Sequence, residues 1–142
     1  MVFAVLLPRR ALLFALASAA LSGCLTRSLP LPPPSATIQS VTSCPLIDCP
    51  MGGVIVTIGG NDAHPGATVI AYDDSIPPTS TGEQLGGNAR ASDSGSWAIT
   101  IVPRQLSPGV VSAVQRGHVI RVFQATADGE ASQSIYREVP RM

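Results

Sequence analysis

The chain has 142 residues, about the length of one domain, and nine arginines balance nine acidic residues, with no lysine. A protein that holds nucleic acid by neutralising its phosphates needs a concentrated basic surface, and no segment of this chain supplies one. The composition also excludes a polytopic membrane protein, a coiled coil and a collagen-like chain.

Residues 1–23 have the pattern of a removable secretion signal. Arg9 and Arg10 precede the apolar run ALLFALASAAL at 11–21. A helix of this length rises about 16 Å, half the hydrocarbon thickness of a bilayer, so it is too short for a stable transmembrane span. We therefore predict that the chain is exported and that the signal helix is removed. The mature chain then has seven arginines and nine acidic residues.

The signal ends in Leu21-Ser22-Gly23-Cys24, which resembles the lipobox of bacterial lipoproteins. The resemblance implies that Cys24 becomes the first mature residue, linked to diacylglycerol by a thioether and acylated, as by palmitate, on its amino group. Two or three acyl chains hold a protein on a membrane almost irreversibly. Leu25 stands where Asp would retain a Gram-negative lipoprotein in the inner membrane, so the resemblance implies an outer-membrane location in such a cell. The alternative is an ordinary cleavage site with a coincidental cysteine.

Residues 24–35 form the second predicted segment. LTRSLPLPPPS at 25–35 contains four prolines and neither helical nor strand periodicity, which predicts a polyproline-II-like tether. At about 3.1 Å per residue, these positions reach about 35 Å from the lipid anchor. The tether is long enough to clear the lipid headgroups.

Cys44 and Cys49 are the only thiols left once Cys24 is lipidated. An oxidising compartment favours a local disulfide between them. Zinc coordination with His64 and His118 is the alternative, but the histidines lack the usual close grouping. Four residues separate the cysteines, so the redox spacing C-x-x-C is not met either.

Residues 36–142 alternate short β-rich runs with turn residues and predict one all-β domain, an immunoglobulin-like sandwich of about seven antiparallel strands. In the strand at 97, Trp97, Ile99 and Ile101 share one face, which predicts a buried Trp97 rather than an exposed stacking platform. The strand at 118 has mixed residues on both faces and leaves its inward side unassigned. Residues 107–115 are expected to form an irregular connection with one helical turn at most. The predicted strands are Ala36–Ser43, Val54–Gly59, Thr68–Asp73, Gln84–Ala91, Trp97–Val102, His118–Ala127 and Ser132–Val139.

Four segments of this domain resemble the bacterial Ig-like modules and the related carboxypeptidase regulatory-like sandwiches. They are GGVIVTIGG at 52–60, HPGATVIAYD at 64–73, ASDSGSWAITI at 91–101 and ATADGEAS at 125–132. The resemblance covers about 80 residues and implies the same sandwich fold. Ser94 stands where the family often has Asp, and the cysteine loop lies outside the pattern, so the resemblance does not extend to a calcium site.

The sequence predicts no catalytic, cofactor or metal site. It contains neither G-x-S-x-G nor H-E-x-x-H, and His64 and His118 are expected to be polar edge residues. Carboxylates in β-turns usually cap backbone donors, which favours this role over calcium binding. The carboxylates concerned are Asp73, Asp74, Asp93 and Asp128.

The functional hypothesis is a noncatalytic, lipid-anchored protein of the cell envelope, whose domain is a structural or protein-interaction module. Its expected partners are the membrane, reached through the N-terminal lipid, and envelope proteins. The alternative is a module that binds a small ligand or carbohydrate through exposed residues around Tyr72, Asp74 and Arg90.

Overall fold

The computed structural model describes residues 29–49 and 51–141. The predicted signal helix, Cys24 and the first part of the predicted tether lie outside these residues. Within them, no helix has the length and apolar character needed to cross a membrane.

The described chain is all-β, and its strands pair antiparallel. All seven predicted strands are present, with ends that differ by at most a few residues. The nine strands are β1 Thr37–Ser43, β2 Val54–Gly60, β3 Thr68–Asp73, β4 Gly86–Arg90, β5 Trp97–Ile101, β6 Arg104–Ser107, β7 Val110–Ser112, β8 Val119–Ala125 and β9 Ile135–Glu138.

Two sheets form the body of the molecule. One has the order β1-β2-β5 and the other the order β4-β3-β8-β9, and their inner faces share a single apolar core. In β2, β3, β5 and β8, buried positions alternate with more exposed ones, because successive side chains of a strand point to opposite faces. The all-β sandwich that the sequence predicts is therefore confirmed. Its innermost residues are Val56, Ile58, Val69, Ala71, Ile101, Ile120 and Val122.

The side chains of β8 alternate between the core and the outer face of its sheet. Ile120, Val122 and Gln124 are fully buried and face the core, so Arg121 and Phe123 lie on the outer face of the four-stranded sheet. Gln124 is tolerated inside because its side-chain oxygen accepts the His64 amide at 2.7 Å and its side-chain nitrogen donates to the Pro32 carbonyl at 2.6 Å.

The prediction for residues 107–115 was wrong. Strands β6 and β7 form a hairpin here, in which Ser107 pairs with Val110 across the turn Pro108-Gly109. Proline at the first central position and a glycine with a positive φ of 75° at the second are the residues that a type II turn requires. The Pro108-Gly109 turn thus connects two paired strands, whereas the sequence predicts an irregular connection.

The last residues of the predicted tether contact the sandwich. Leu31, Pro34 and Ala36 are buried, and Ser35 exchanges hydrogen bonds with Asn61 beyond the end of β2. We call this the proline end of the sandwich. The opposite end, where β1 runs into Cys44, is the disulfide end.

Trp97 lies in the core, with 5% of its surface exposed. We expect Trp97→Ala to lower the free energy of unfolding by roughly 3–5 kcal/mol, because the remaining cavity is large. Trp97→Phe should cost less, since most of the buried ring area stays and the indole N–H has no hydrogen-bond partner among the described residues. Urea unfolding measures both changes. A water-exposed tryptophan emission spectrum, together with an unchanged midpoint for Trp97→Ala, would contradict the buried position.

Candidate functional site

The cysteine loop is a rigid projection at the disulfide end. The Cys44 and Cys49 sulfur atoms are bonded, 2.09 Å apart, and the disulfide packs on Ala113, just after β7. Inside the loop, the Cys49 amide donates to the Pro45 carbonyl at 2.9 Å. This closed turn leaves Leu46 and Ile47 pointing into solvent, with 76% and 89% of their surfaces exposed.

Leu46 and Ile47 belong to a larger apolar patch, which we call the apolar end surface. Six of the eight large hydrophobic side chains that are exposed in the described residues lie here. The cysteine loop and the β6–β7 hairpin supply most of them, and the two elements adjoin at a hollow of about 390 Å³ between Cys44, Val102 and Val111. A concentration of exposed apolar side chains at one end of a domain is typical of an interaction site. Its residues are Leu46, Ile47, Met51, Val102, Val110 and Val111.

The rim of the apolar end surface is polar and carries both charges. Asp48 and Arg104 line the same hollow, and Arg104 is paired with Glu83 at 2.9 Å. Among the residues that the structure describes, this rim therefore shows no concentrated positive charge. An apolar centre with a mixed polar rim matches a protein interface more closely than a site for anionic lipid.

The structure does not bring Tyr72, Asp74 and Arg90 together. Tyr72 pairs with Gly86 near the disulfide end of the sheet, whereas Arg90 pairs with Thr68 at the proline end. The two positions are four residues apart along the strand, about 13 Å. Asp74 is exposed beyond the end of β3. Tyr72 and Asp74 therefore lie toward the disulfide end of the sheet, and Arg90 lies toward the proline end.

Tyr72 instead belongs to an aromatic group that the sequence analysis did not identify. Its ring meets Phe123 edge to face, with 6.2 Å between the centroids and 80° between the planes. The Arg121 guanidinium lies 5.5 Å from the Tyr72 ring centre and 5.9 Å from that of Phe123. Alternation within β8 would have indicated Arg121 and Phe123 if the inward position of Gln124 had been recognised.

The buried Asp73 and the half-buried His118 form a pair at the disulfide end. The Asp73 carboxylate is fully buried and its Oδ2 lies 2.5 Å from His118 Nδ1, while Oδ1 accepts the Ser75 amide at 2.9 Å. The Ser75 hydroxyl accepts the Val119 amide at 2.9 Å, and no hydroxyl bonds the histidine ring within the described ranges. The pair therefore joins the end of β3 to the start of β8, without the hydroxyl contact that an acyl-transfer triad needs.

Among residues 29–49 and 51–141, no three His, Cys, Asp or Glu side chains are placed so that they could hold a metal ion. His64 is exposed at the proline end, far along the chain and the fold from the Cys44–Cys49 disulfide. Comparison with known proteins gave no match to a family model, a curated protein or a solved structure.

The disulfide gives a direct prediction. Mass spectrometry of the non-reduced protein should find the Cys44–Cys49 peptide about 2 Da lighter than its reduced form, because the bond removes two hydrogens. Replacing both cysteines by serine should lower the free energy of unfolding by about 2 kcal/mol through the entropy of the unfolded chain. Two free thiols in protein taken from the native compartment would contradict the pairing.

Proposed function

We propose that the chain is a noncatalytic, lipid-anchored protein of a bacterial cell envelope, whose immunoglobulin-like sandwich binds a protein partner through the apolar end surface. The observation that carries this proposal is the concentration of six of the eight exposed large hydrophobic residues at one end of the fold. A soluble domain gains nothing from exposing such a patch unless something covers it.

The direction of the patch supports a protein partner rather than the anchoring membrane. Residues 31–36 pack on the proline end, so a lipid on Cys24 would enter the domain from that side. The apolar end surface lies at the opposite end, beyond the length of β1 and β2. An anchored molecule would therefore present this surface away from its own lipid. The partner that fits there is an envelope protein with an apolar patch of its own.

A noncatalytic role is supported by how the polar groups are used. Asp73 and His118, the closest approach to a catalytic pair, are engaged in joining two strands. The arginine at the edge of the patch, Arg104, is paired with Glu83. These charged side chains thus hold strands together or pair with each other at the surface.

The lipid anchor is tested by Cys24→Ser. We expect the wild-type chain in the membrane fraction and the variant either soluble or uncleaved, because the acyl chains and not the domain provide attachment. Fractionation and mass measurement of the mature N-terminus read out both results. A variant that is cleaved and still recovered in the membrane fraction at the wild-type level contradicts the anchor.

The protein partner is tested by site-specific photocrosslinking in cells that express the full chain. A photoreactive residue at position 47 or 51 should give one adduct of defined mass, whereas the same residue at position 94, exposed at the proline end, should not. Adding Val110→Asp should reduce the adduct by about tenfold, because a charge would be buried in the interface.

The matched control for this test is Ser94→Asp, which adds the same charge at an exposed position on the other end. It should leave the adduct unchanged, and thermal unfolding should show that both aspartate variants remain folded. An adduct of twice the chain's own mass identifies a second copy as the occupant and contradicts the envelope partner. Equal adducts at positions 47 and 94, or none at 47 and 51, also overturn the proposal.

A further inference from the structure

Aromatic residues are concentrated on the outer face of the four-stranded sheet. The described chain has four aromatic side chains, and all except the buried Trp97 lie on this face. Tyr72 comes from β3, Phe123 from β8 and Tyr136 from β9, opposite Arg121. Tyr72 and Phe123 point outward because their neighbours Ala71, Val122 and Gln124 are buried in the core, and successive residues of a strand face opposite sides.

Two of these rings are held in fixed positions. Tyr72 and Phe123 contact each other edge to face, and Arg121 lies against both rings. Arg121 is itself fixed, because its Nε donates to the Ser134 hydroxyl at 2.8 Å. A ligand that stacks on these rings pays little conformational entropy for ordering them, because their contacts already restrict both side chains.

A groove lies beside these rings on the β4 side of the sheet. It has a volume of about 380 Å³, and we call it the Tyr72 groove. Gly86 stands directly opposite Tyr72 in the sheet, where a Cβ would collide with the Ala71 carbonyl oxygen and with the Tyr72 Cβ. The missing side chain keeps the groove open next to the Tyr72 ring.

Besides the two rings, the Tyr72 groove is lined by the apolar side chain of Ile70 and by three polar side chains. Asn88 is exposed on β4, Gln84 precedes this strand, and Arg104 reaches across from the β6–β7 hairpin. Arg104 is neutralised by Glu83, with 2.9 Å between the guanidinium nitrogen and the carboxylate oxygen. The groove wall therefore offers two aromatic rings, the apolar Ile70, two amides and an arginine whose charge is balanced by Glu83.

We propose that the Tyr72 groove binds a saccharide of one or two sugar rings. A pyranose has an apolar C–H face and a polar hydroxyl edge, which match an aromatic wall on one side and amide and guanidinium groups on the other. The volume lies within the range of about 300–1,000 Å³ that is typical of small-ligand sites. None of the six residues of the apolar end surface lines the groove, and the two sites share only the rim residue Arg104, so this inference does not depend on the proposed protein partner.

The test is a titration of the isotopically labelled full chain, solubilised in detergent, with cellotetraose, maltotetraose and tetra-N-acetylchitotetraose. At least one of these should shift the backbone amides of Gly86 and Gly87 and the side-chain amide of Asn88 in a saturable manner. Tyr72→Ala should weaken that binding by about tenfold or more, while Tyr72→Phe, which keeps the ring, should stay within about threefold. Asn88→Ala should weaken it by about threefold to tenfold through the loss of a hydrogen bond.

The matched control is Tyr136→Ala, because Tyr136 lies on the same face but does not line the groove. It should change the dissociation constant by less than about twofold. The proposal is overturned if none of the three saccharides shifts these amides, or if Tyr136→Ala weakens binding as much as Tyr72→Ala. It is also overturned if Asn88→Ala, an exposed change that leaves the core intact, has no effect on any saccharide that binds.

Discussion

The side chain of Gln124 is the polar contact on which much of the architecture depends. It is fully buried and uses both ends of its amide: the oxygen holds the connection between β2 and β3 through His64, and the nitrogen holds the N-terminal segment through Pro32. A buried amide of this kind is stable only when its donors and acceptors are satisfied, so three separate stretches of chain must meet at one point. That meeting point defines the proline end of the sandwich.

The inward position of Gln124 also determines what the other side of β8 presents. Because strand residues alternate, Phe123 and Arg121 must face outward, although Phe123 is more apolar than Gln124. The pairing of β8 with β3 then sets Arg121 opposite Tyr72, which produces the aromatic group beside the groove. The burial of Gln124 thus places Phe123 on the outer face through strand alternation, and the register between β3 and β8 places Tyr72 beside it.

The sequence allowed seven strands and the sandwich to be predicted because apolar alternation and turn residues act locally. It did not allow the outer site to be predicted, because Tyr72, Arg121 and Phe123 come together only through the register between β3 and β8. The sequence predicts that Tyr72, Asp74 and Arg90 are exposed, but it does not give their spacing, and the sheet separates Tyr72 from Arg90 by most of the length of β4. The β6–β7 hairpin was missed because its strands have only four and three residues and its periodicity is correspondingly weak.

That short hairpin connects the two surfaces to which we assign binding. Val110 and Val111 on β7 belong to the apolar end surface, and Arg104 on β6 closes the Tyr72 groove while paired with Glu83. The hairpin is fastened at its base, where Val54 at the start of β2 forms an isolated bridge with Val114, and the Cys44–Cys49 disulfide packs on Ala113 beside it. The cysteine loop and the hairpin therefore support each other at the disulfide end. Because both elements are additions to the seven-strand pattern, the features that distinguish this chain from a plain sandwich are concentrated where its two candidate binding surfaces meet.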